Sequence, residues 1–373
     1  MSLDAESAVG RRLRAHPDAV AAAMVALGLA ARLVAARGAV FAPDEDLHLR
    51  IASASGIGSV YRSSLDSAHP PLFLLLLHFW KDLSANPFAL RFLPVAFGAA
   101  VPWAAYRWAA SLFGKTAALA TAALLAFLPS LVLLSAELRA YALLLFLMMT
   151  SLALLERAFQ DESKTLLLVA TAVAGLSLLT HYGAMCFVLA FAGYAATRLW
   201  TQRPSPSFVS AWVGAQAALG VLALVLYASH ISRLRGGTLE REAQTDWLHA
   251  SYFHANGEGA WRFLTRQTAA VFLFVYSAPA AGIVGLVFFA GAVAGLAFRL
   301  KPAAILLASP FVLGAAAGLL AIYPYGGTRH SAHLVPFVCA GAGVALARLS
   351  GERSWVAYAL AAALLPAAFA VGG

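Results

Sequence analysis

This sequence predicts an all-α polytopic membrane protein, and three observations carry that expectation. Hydrophobic residues make up 61% of the 373 and only 12% are charged, where a soluble domain carries roughly 25% charged residues. The apolar residues fall in runs close to the ~20 residues that let a helix cross a hydrocarbon layer of ~30 Å. Basic residues then recur in pairs between alternate runs. Length alone would admit about two or three soluble domains; the runs favour one membrane domain over residues 1–373.

The first run, Ala19 to Ala36, follows Arg11, Arg12 and Arg14 and so has the layout of a signal peptide. Its length, Arg32 within it and the Gly38-Ala39-Val40-Phe41 that follows predict a retained membrane helix instead. Further spans are expected over 87–110, 117–136, 141–158, 164–180, 183–198, 207–229, 268–298, 302–322, 331–348 and 353–371. The total is about eleven crossings. The apolar piece from Pro70 to Trp80 is too short to cross, and reads as a juxtamembrane or re-entrant helix.

Excluding that piece brings the charges into register. With the N-terminus in the cytoplasm, the inner loops hold Arg107 and Lys115, Arg157 and Lys164, Arg198 and Arg203, Arg299 and Lys301, and Arg348 and Arg353. That is the positive-inside pattern. Counting Pro70–Trp80 as a crossing would move these pairs outside. The formal charge of +9 is therefore largely topological and suits anionic lipid headgroups. No basic run or motif for nucleic acid is present. Cys186 and Cys339 both lie in apolar runs and read as small core residues.

Two outer segments exceed what connection requires: 38–87, which contains the juxtamembrane helices, and 230–268, rich in Arg, Glu, Trp and His, which reads as a small cap. Ionisable groups near membrane helix ends are costly and mark function. On this topology they form five clusters on the outer face: Asp44-Glu45-Asp46 with His48; Asp66 and His69; Glu137, Arg139 and Tyr141; His181-Tyr182; and Arg329-His330 with His333.

Each has a plainer reading. The acids after Pro43 suit the first turn of a helix, where they complement its dipole. His69 before Pro70-Pro71 could be a polar helix start, and His78 fits a helix-face histidine. Glu137 and Arg139 could neutralise each other, yet an outer Arg runs against the topology bias and fits an anionic ligand, since a guanidinium suits phosphate. Tyr182 could be an interfacial belt residue. Arg329-His330 follows Gly326-Gly327, a loop able to approach a ligand.

The acidic pair, then His69-Pro70-Pro71 before a Leu-rich stretch, then Phe88-Ala89-Leu90-Arg91, then Glu137-x-Arg139-x-Tyr141, resembles in order and spacing the GT-C glycosyltransferases. Within them the chain is similar to the polyprenyl-phosphate-sugar-dependent group: protein O-mannosyltransferases, the lipid A aminoarabinose transferase and bacterial lipopolysaccharide sugar transferases. The likeness covers roughly residues 15–200 well and the remainder mainly by layout. It implies that Asp44 and Glu45 match the acidic pair of the catalytic centre. It implies also that His69 lies near the donor phosphate and that Arg139 and Tyr141 match an Arg-x-Tyr. Ala140 stands where Pro is common, and His330 follows Arg329 where Tyr is usual.

The resemblance implies a hexosyl- or pentosyltransferase at the outer face of a cell membrane, the inner one in a bacterium. It would move a sugar from a polyprenyl-phosphate donor to a glycan, lipid or protein hydroxyl, with inversion. Asp44 would take the acceptor's proton; Arg139, with His69, His181 or Arg329, would stabilise the leaving phosphate. His69, Asp66, Glu45 and His181 are residue types that hold a divalent metal, but no spacing is diagnostic. The alternative is a transporter or flippase for an anionic lipid, which predicts paired repeats or helices broken near the midplane; the apolar runs show neither.

Overall fold

Proline sets many of the helix starts, because its missing N–H would be an orphan at the first helical position anyway. In chain order the helices are α1 (Pro17–Ala35), α2 (Pro43–Ala52), α3 (Ile57–Asp66), α4 (Leu72–Trp80), α5 (Pro87–Phe113), α6 (Lys115–Phe127), α7 (Pro129–Ala136), α8 (Tyr141–Gln160), α9 (Lys164–Leu178), α10 (Ala184–Gln202), α11 (Pro206–Leu226), α12 (Thr238–Thr245), α13 (Ala260–Tyr276), α14 (Pro279–Arg299), α15 (Lys301–Leu319) and α16 (Val335–Ser350). α11 continues through a π turn to Leu234, and a 3-10 turn, Arg329–Leu334, leads into α16. The computed structural model describes residues 15–351 except Ala39 and Ala68, together with Ala361, and for Asp66 the backbone only. No strand occurs among the described residues.

The protein is a polytopic all-α membrane protein. Among the described residues 8 helices are long and apolar enough to cross a membrane, and the bent pair α6–α7 makes up to 9. α9 is apolar but shorter, at 15 residues. The expected span at 353–371 lies, Ala361 apart, outside the described residues. α4 has 9 residues, about 13 Å at 1.5 Å per residue, and is too short to cross, as its sequence indicated.

Two spans differ from expectation. The run 117–136 is not one helix: α6 and α7 meet at 55° across Leu128, because Pro129 has no N–H to continue the ladder and restricts the residue before it. The run 268–298 is two helices. Ser277 takes a left-handed conformation (φ 55) that ends α13, and Pro279 opens α14. α13 begins at Ala260, inside the segment read as outer loop.

Little hydrophobic force drives helices together in lipid, so close packing does it. α1 packs on α5 and α6, α5 on α8, α8 on α9, and α9 on α11. α10 packs on α15, while α14 and α6 flank α16. Trp108 of α5, Phe187 of α10 and Phe337 of α16 are all buried, and both Trp108 and Phe187 face Phe337. This antiparallel arrangement gathers the α1–α5, α7–α8, α9–α10, α11–α14 and α15–α16 connections at one end. The short junctions with the paired basic residues lie at the other. There Arg198 bonds Glu156 at 2.6 Å across α8 and α10.

Candidate active site

The site is built outward from a buried ion pair. Glu45, in the first turn of α2, and Arg91, near the start of α5, have side chains only 4% and 7% exposed. Arg91 donates through Nε to Glu45 Oε1 at 2.8 Å and through Nη2 to Oε2 at 2.7 Å, the two-pronged geometry a guanidinium favours. Its remaining donors hold the chain leaving α1, at the carbonyls of Gly38 and Val40. Glu45 also accepts from the Leu138 N–H at 2.8 Å and the Ala42 N–H at 2.9 Å. Burial alone would raise the Glu45 carboxyl; these four donors and the Arg91 charge hold it below the ordinary value. One carboxylate thus locks the first loop, α5 and the α7–α8 connection together.

That lock fixes the position of Asp44, the adjacent residue along the chain. Its Oδ2 accepts from Arg139 Nη1 and from Arg329 Nη2. Arg139 is 4% exposed, whereas Asp44 and Arg329 are 42% and 37% exposed. Burial pushes the Asp44 carboxyl upward, but the two guanidiniums outweigh it and the net shift is downward. Arg139 turns to Asp44 rather than to Glu137, which makes no side-chain hydrogen bond among the described residues. Burial raises the Glu137 carboxyl despite the nearby charges of Arg139 and Arg329. Arg139 Nε is buried without a partner. The guanidinium also lies 5.3 Å from the Tyr141 ring centroid, with Nη2 3.4 Å from the hydroxyl.

Arg329 reaches Asp44 because its loop is held on both sides. Tyr325 donates its N–H to the Ser251 carbonyl at 2.9 Å, and its hydroxyl meets Thr268 at 2.7 Å. Gly326, at φ 144, makes the turn.

Histidines lie close by. His48 and His69 meet edge to face with centroids 4.7 Å apart. His48 Nδ1 lies 2.6 Å from the Asp44 backbone carbonyl and His69 Nδ1 lies 2.5 Å from that of Ser67. A carbonyl partner requires Nδ1–H, so each ring presents Nε2 as an acceptor. His48 Nε2 is buried and unpartnered. Burial lowers the His48 imidazole to about 4 and holds His69 well below its usual value. His181 lies 5.3 Å from Tyr141 and 6.4 Å from Tyr323, ring to ring. A Cβ on Gly183 would meet His333 Nδ1 at 2.7 Å, His181 Nδ1 at 3.1 Å and the Tyr323 hydroxyl at 3.1 Å, so only glycine fits among them.

The expected residues therefore divide. Asp44, Arg139 and Arg329 touch; Tyr141 and His181 stand behind Arg139; His69 faces His48. Tyr182 belongs to a different string. Its hydroxyl meets His230 Nδ1 on the π turn of α11, and His230 Nε2 lies 3.1 Å from Ser64 of α3. His330 stands 5.6 Å from Trp247 of the second loop. His78 bonds the Ala52 carbonyl at 2.7 Å, as a packing residue would. The sequence singled out Arg91 only as part of the Phe88-Ala89-Leu90-Arg91 motif and gave Tyr323 and Trp247 no role; for Arg91 the further signal was a charge inside an apolar run.

A divalent metal is poorly served. Glu45 is saturated by Arg91 and backbone donors, His181 Nδ1 accepts from the Gly183 N–H at 3.2 Å, and Asp44 faces two cations. No three His, Cys, Asp or Glu side chains converge among the described residues.

Residues 68–231 match the model of a family described as dolichyl-phosphate-mannose-protein mannosyltransferase. No curated protein matches the chain. Among solved structures, the chain is similar to ArnT from Cupriavidus metallidurans bound to undecaprenyl phosphate (TM-score 0.57, 16% identity, 92% of this chain and 63% of that one). It is similar also to the Archaeoglobus fulgidus oligosaccharyltransferase tethered to an acceptor peptide (TM-score 0.57, 12% identity, 95% and 54%). The same archaeal enzyme complexed with zinc and sulfate gives 0.55 at 14% identity, covering 94% and 52%. This chain spans between 52% and 63% of the length of those structures. From a structural likeness that runs through nine-tenths of the sequence, the protein is a polytopic membrane protein that shares the fold of these structures.

Proposed function

We propose that the protein transfers a sugar from a polyprenyl-phosphate donor to an acceptor hydroxyl at the outer face of the membrane, with inversion at the anomeric carbon. The observation that carries this reading is the Asp44 carboxylate held between Arg139 and Arg329. Two guanidiniums from distant parts of the chain form a fork for a phosphate, and the carboxylate occupies it in the ligand's place. The outer location rests on the paired basic residues at the opposite end of the bundle.

Donor binding then does two things at once. The phosphate takes the guanidiniums, and Asp44 loses the two cations that depress its pKa, so it becomes a better base. The anomeric carbon lies between the parted groups, with the base on one side and the phosphate binders on the other. Asp44 accepts the acceptor hydroxyl's proton as its oxygen forms the bond to the anomeric carbon and the bond to phosphate oxygen breaks. Arg139 and Arg329 stabilise the charge that grows on the leaving phosphate. Glu45 is the scaffold and Asp44 the reacting acid. The Nε2 atom of His69, being an acceptor, suits a sugar hydroxyl rather than the phosphate anion. Tyr141 and His181 back the phosphate site. One of the similar structures is bound to undecaprenyl phosphate and another is tethered to an acceptor peptide, which supports a lipid-phosphate donor.

The test is incubation of the purified protein with radiolabelled polyprenyl-phosphate sugars and a membrane lipid extract. Transfer of label to a new product supports the reading. Absence of transfer with every donor that binds would refute it.

A further inference from the structure

Arg32 is the most deeply buried cation of the described bundle, at 1% exposure. It sits in the apolar helix α1, and no carboxylate pairs with it among the described residues. Its guanidinium instead donates from Nη1 to the Ala126 carbonyl at 2.9 Å and from Nη2 to the Leu125 carbonyl at 3.0 Å. A third bond, Nη1 to Gly28 at 3.0 Å, ties it to its own helix.

Those two carbonyls are special. α6 has 13 residues, which at 1.5 Å each carry it about 20 Å from its start, still within a hydrocarbon layer of ~30 Å. There Pro129 breaks the ladder. Leu125 would normally bond the N–H at position 129, and Ala126 the one at 130, and the 55° bend removes both. Carbonyls left bare in lipid are expensive, and a helix C-terminus carries partial negative charge. Arg32 satisfies both needs. Two glycines make room for it. A Cβ at Gly28 would lie 3.1 Å from Arg32 Nη1 and 3.3 Å from Ala126, and one at Gly98 would lie 2.3 Å from Ser135 Oγ and 3.1 Å from Arg32 Nε.

α7 leaves the break and ends in the connection that carries Leu138 and Arg139. We propose that Arg32 is a positioning residue: by capping α6 at the break it fixes the direction of α7 and thereby the place of Arg139 at the phosphate fork. The second half of this inference rests on the function proposed above; the first half does not.

Arg32→Met keeps length and removes the donors, and Arg32→Lys keeps the charge but cannot cap two carbonyls with a planar fork. Two readouts separate the halves. Hydrogen exchange followed by mass spectrometry should show faster exchange over residues 129–140 in Arg32→Met, with residues 141–160 unchanged. Binding of undecaprenyl phosphate should weaken about fivefold or more, with Arg32→Lys intermediate. The double variant Arg32→Met/Arg139→Ala should bind no worse than Arg139→Ala alone, which a general loss of stability would not produce. Unchanged exchange overturns the cap. Faster exchange with unchanged binding, or fully additive losses, overturns the positioning role. If Arg139→Ala itself binds normally, the reading of the phosphate fork fails, and exchange still decides the cap. Should Arg32→Met not fold, Gly98→Ala crowds Ser135 from the other side and is read in the same ways. Loss of fold in all three variants would show Arg32 to be a folding residue only.

Discussion

Asp44 and Arg139 lie 95 positions apart in the sequence and meet side chain to side chain, with Arg329 on the same carboxylate oxygen. This contact joins the first loop, the α7–α8 connection and the α15–α16 loop at one point. It also sets up a competition, since a phosphate that takes the arginines must displace the acid.

The first prediction follows from that competition. A hydrogen bond to a charged group is worth about 1.5–3 kcal/mol, so Arg139→Ala should weaken undecaprenyl phosphate binding roughly tenfold to a hundredfold. Arg139→Lys should recover only part, having lost the fork. Arg329→Ala should lose less, because Arg329 is 37% exposed against 4% for Arg139. Titration by tryptophan fluorescence or radiolabelled lipid would measure this. Equal affinity in Arg139→Ala would remove the residue from the site.

Glu45 should behave as scaffold. Removing one partner of a buried pair costs about 3–5 kcal/mol, so Glu45→Gln and Arg91→Met should each lower the thermal midpoint markedly. The double variant should lose less than the sum. Enzyme that stays folded should keep turnover well above that of Asp44→Asn. A Glu45→Gln protein of normal stability and no turnover would transfer the catalytic role to Glu45.

Much of this was legible in the sequence because charge is rare in an apolar chain. Asp44, Arg139 and Arg329 stand out against membrane runs without any knowledge of their contacts. Partnership was not legible: Glu45 and Arg91 are 46 residues apart, and periodicity cannot pair them. The plainer reading, in which Glu137 and Arg139 neutralise each other, was reasonable locally, yet tertiary packing gives Arg139 Asp44 as its partner. The bend at Pro129 and the stop at Ser277 were hidden because apolar residues continue through both. A hydropathy run reports depth, not backbone continuity.

The histidines give a pH prediction. His48 is held at about 4 in the folded protein against an ordinary 6.5. The unfolded chain therefore takes up the proton first as pH falls. This stabilising contribution is present above the unfolded value of 6.5 and is lost as pH drops from there toward about 4. Thermal midpoints should decline through that window, and His48→Gln should decline less steeply. Turnover per bound donor should show no inflection near 6.5, since His48 and His69 are already neutral there. An inflection at 6.5 abolished by His69→Gln would show a protonated imidazole at work.

Orientation is tested by cysteine labelling, the native Cys186 and Cys339 being buried. A cysteine at exposed Asn86 should react with an impermeant thiol reagent in intact cells, and one at exposed Glu162 should not. The reverse pattern would place the site on the cytoplasmic face.

The central claim, that Asp44 is the base released by donor binding, is tested most directly by turnover of Asp44→Asn beside Asp46→Asn, with donor binding measured on both. Asp46 shares the first turn of α2 but, among the described residues, pairs only with Arg50, at 3.2 Å on the surface. Losing a helix-dipole contribution costs about 0.3–1 kcal/mol and should barely alter rate. Losing a general base should cost about a hundredfold to ten-thousandfold. Asp44→Asn should bind undecaprenyl phosphate at least as well as the parent, because the fork has lost its competitor, and turnover should collapse while Asp46→Asn stays active. Equal and mild losses in both variants, or weaker lipid binding by Asp44→Asn, would contradict the account.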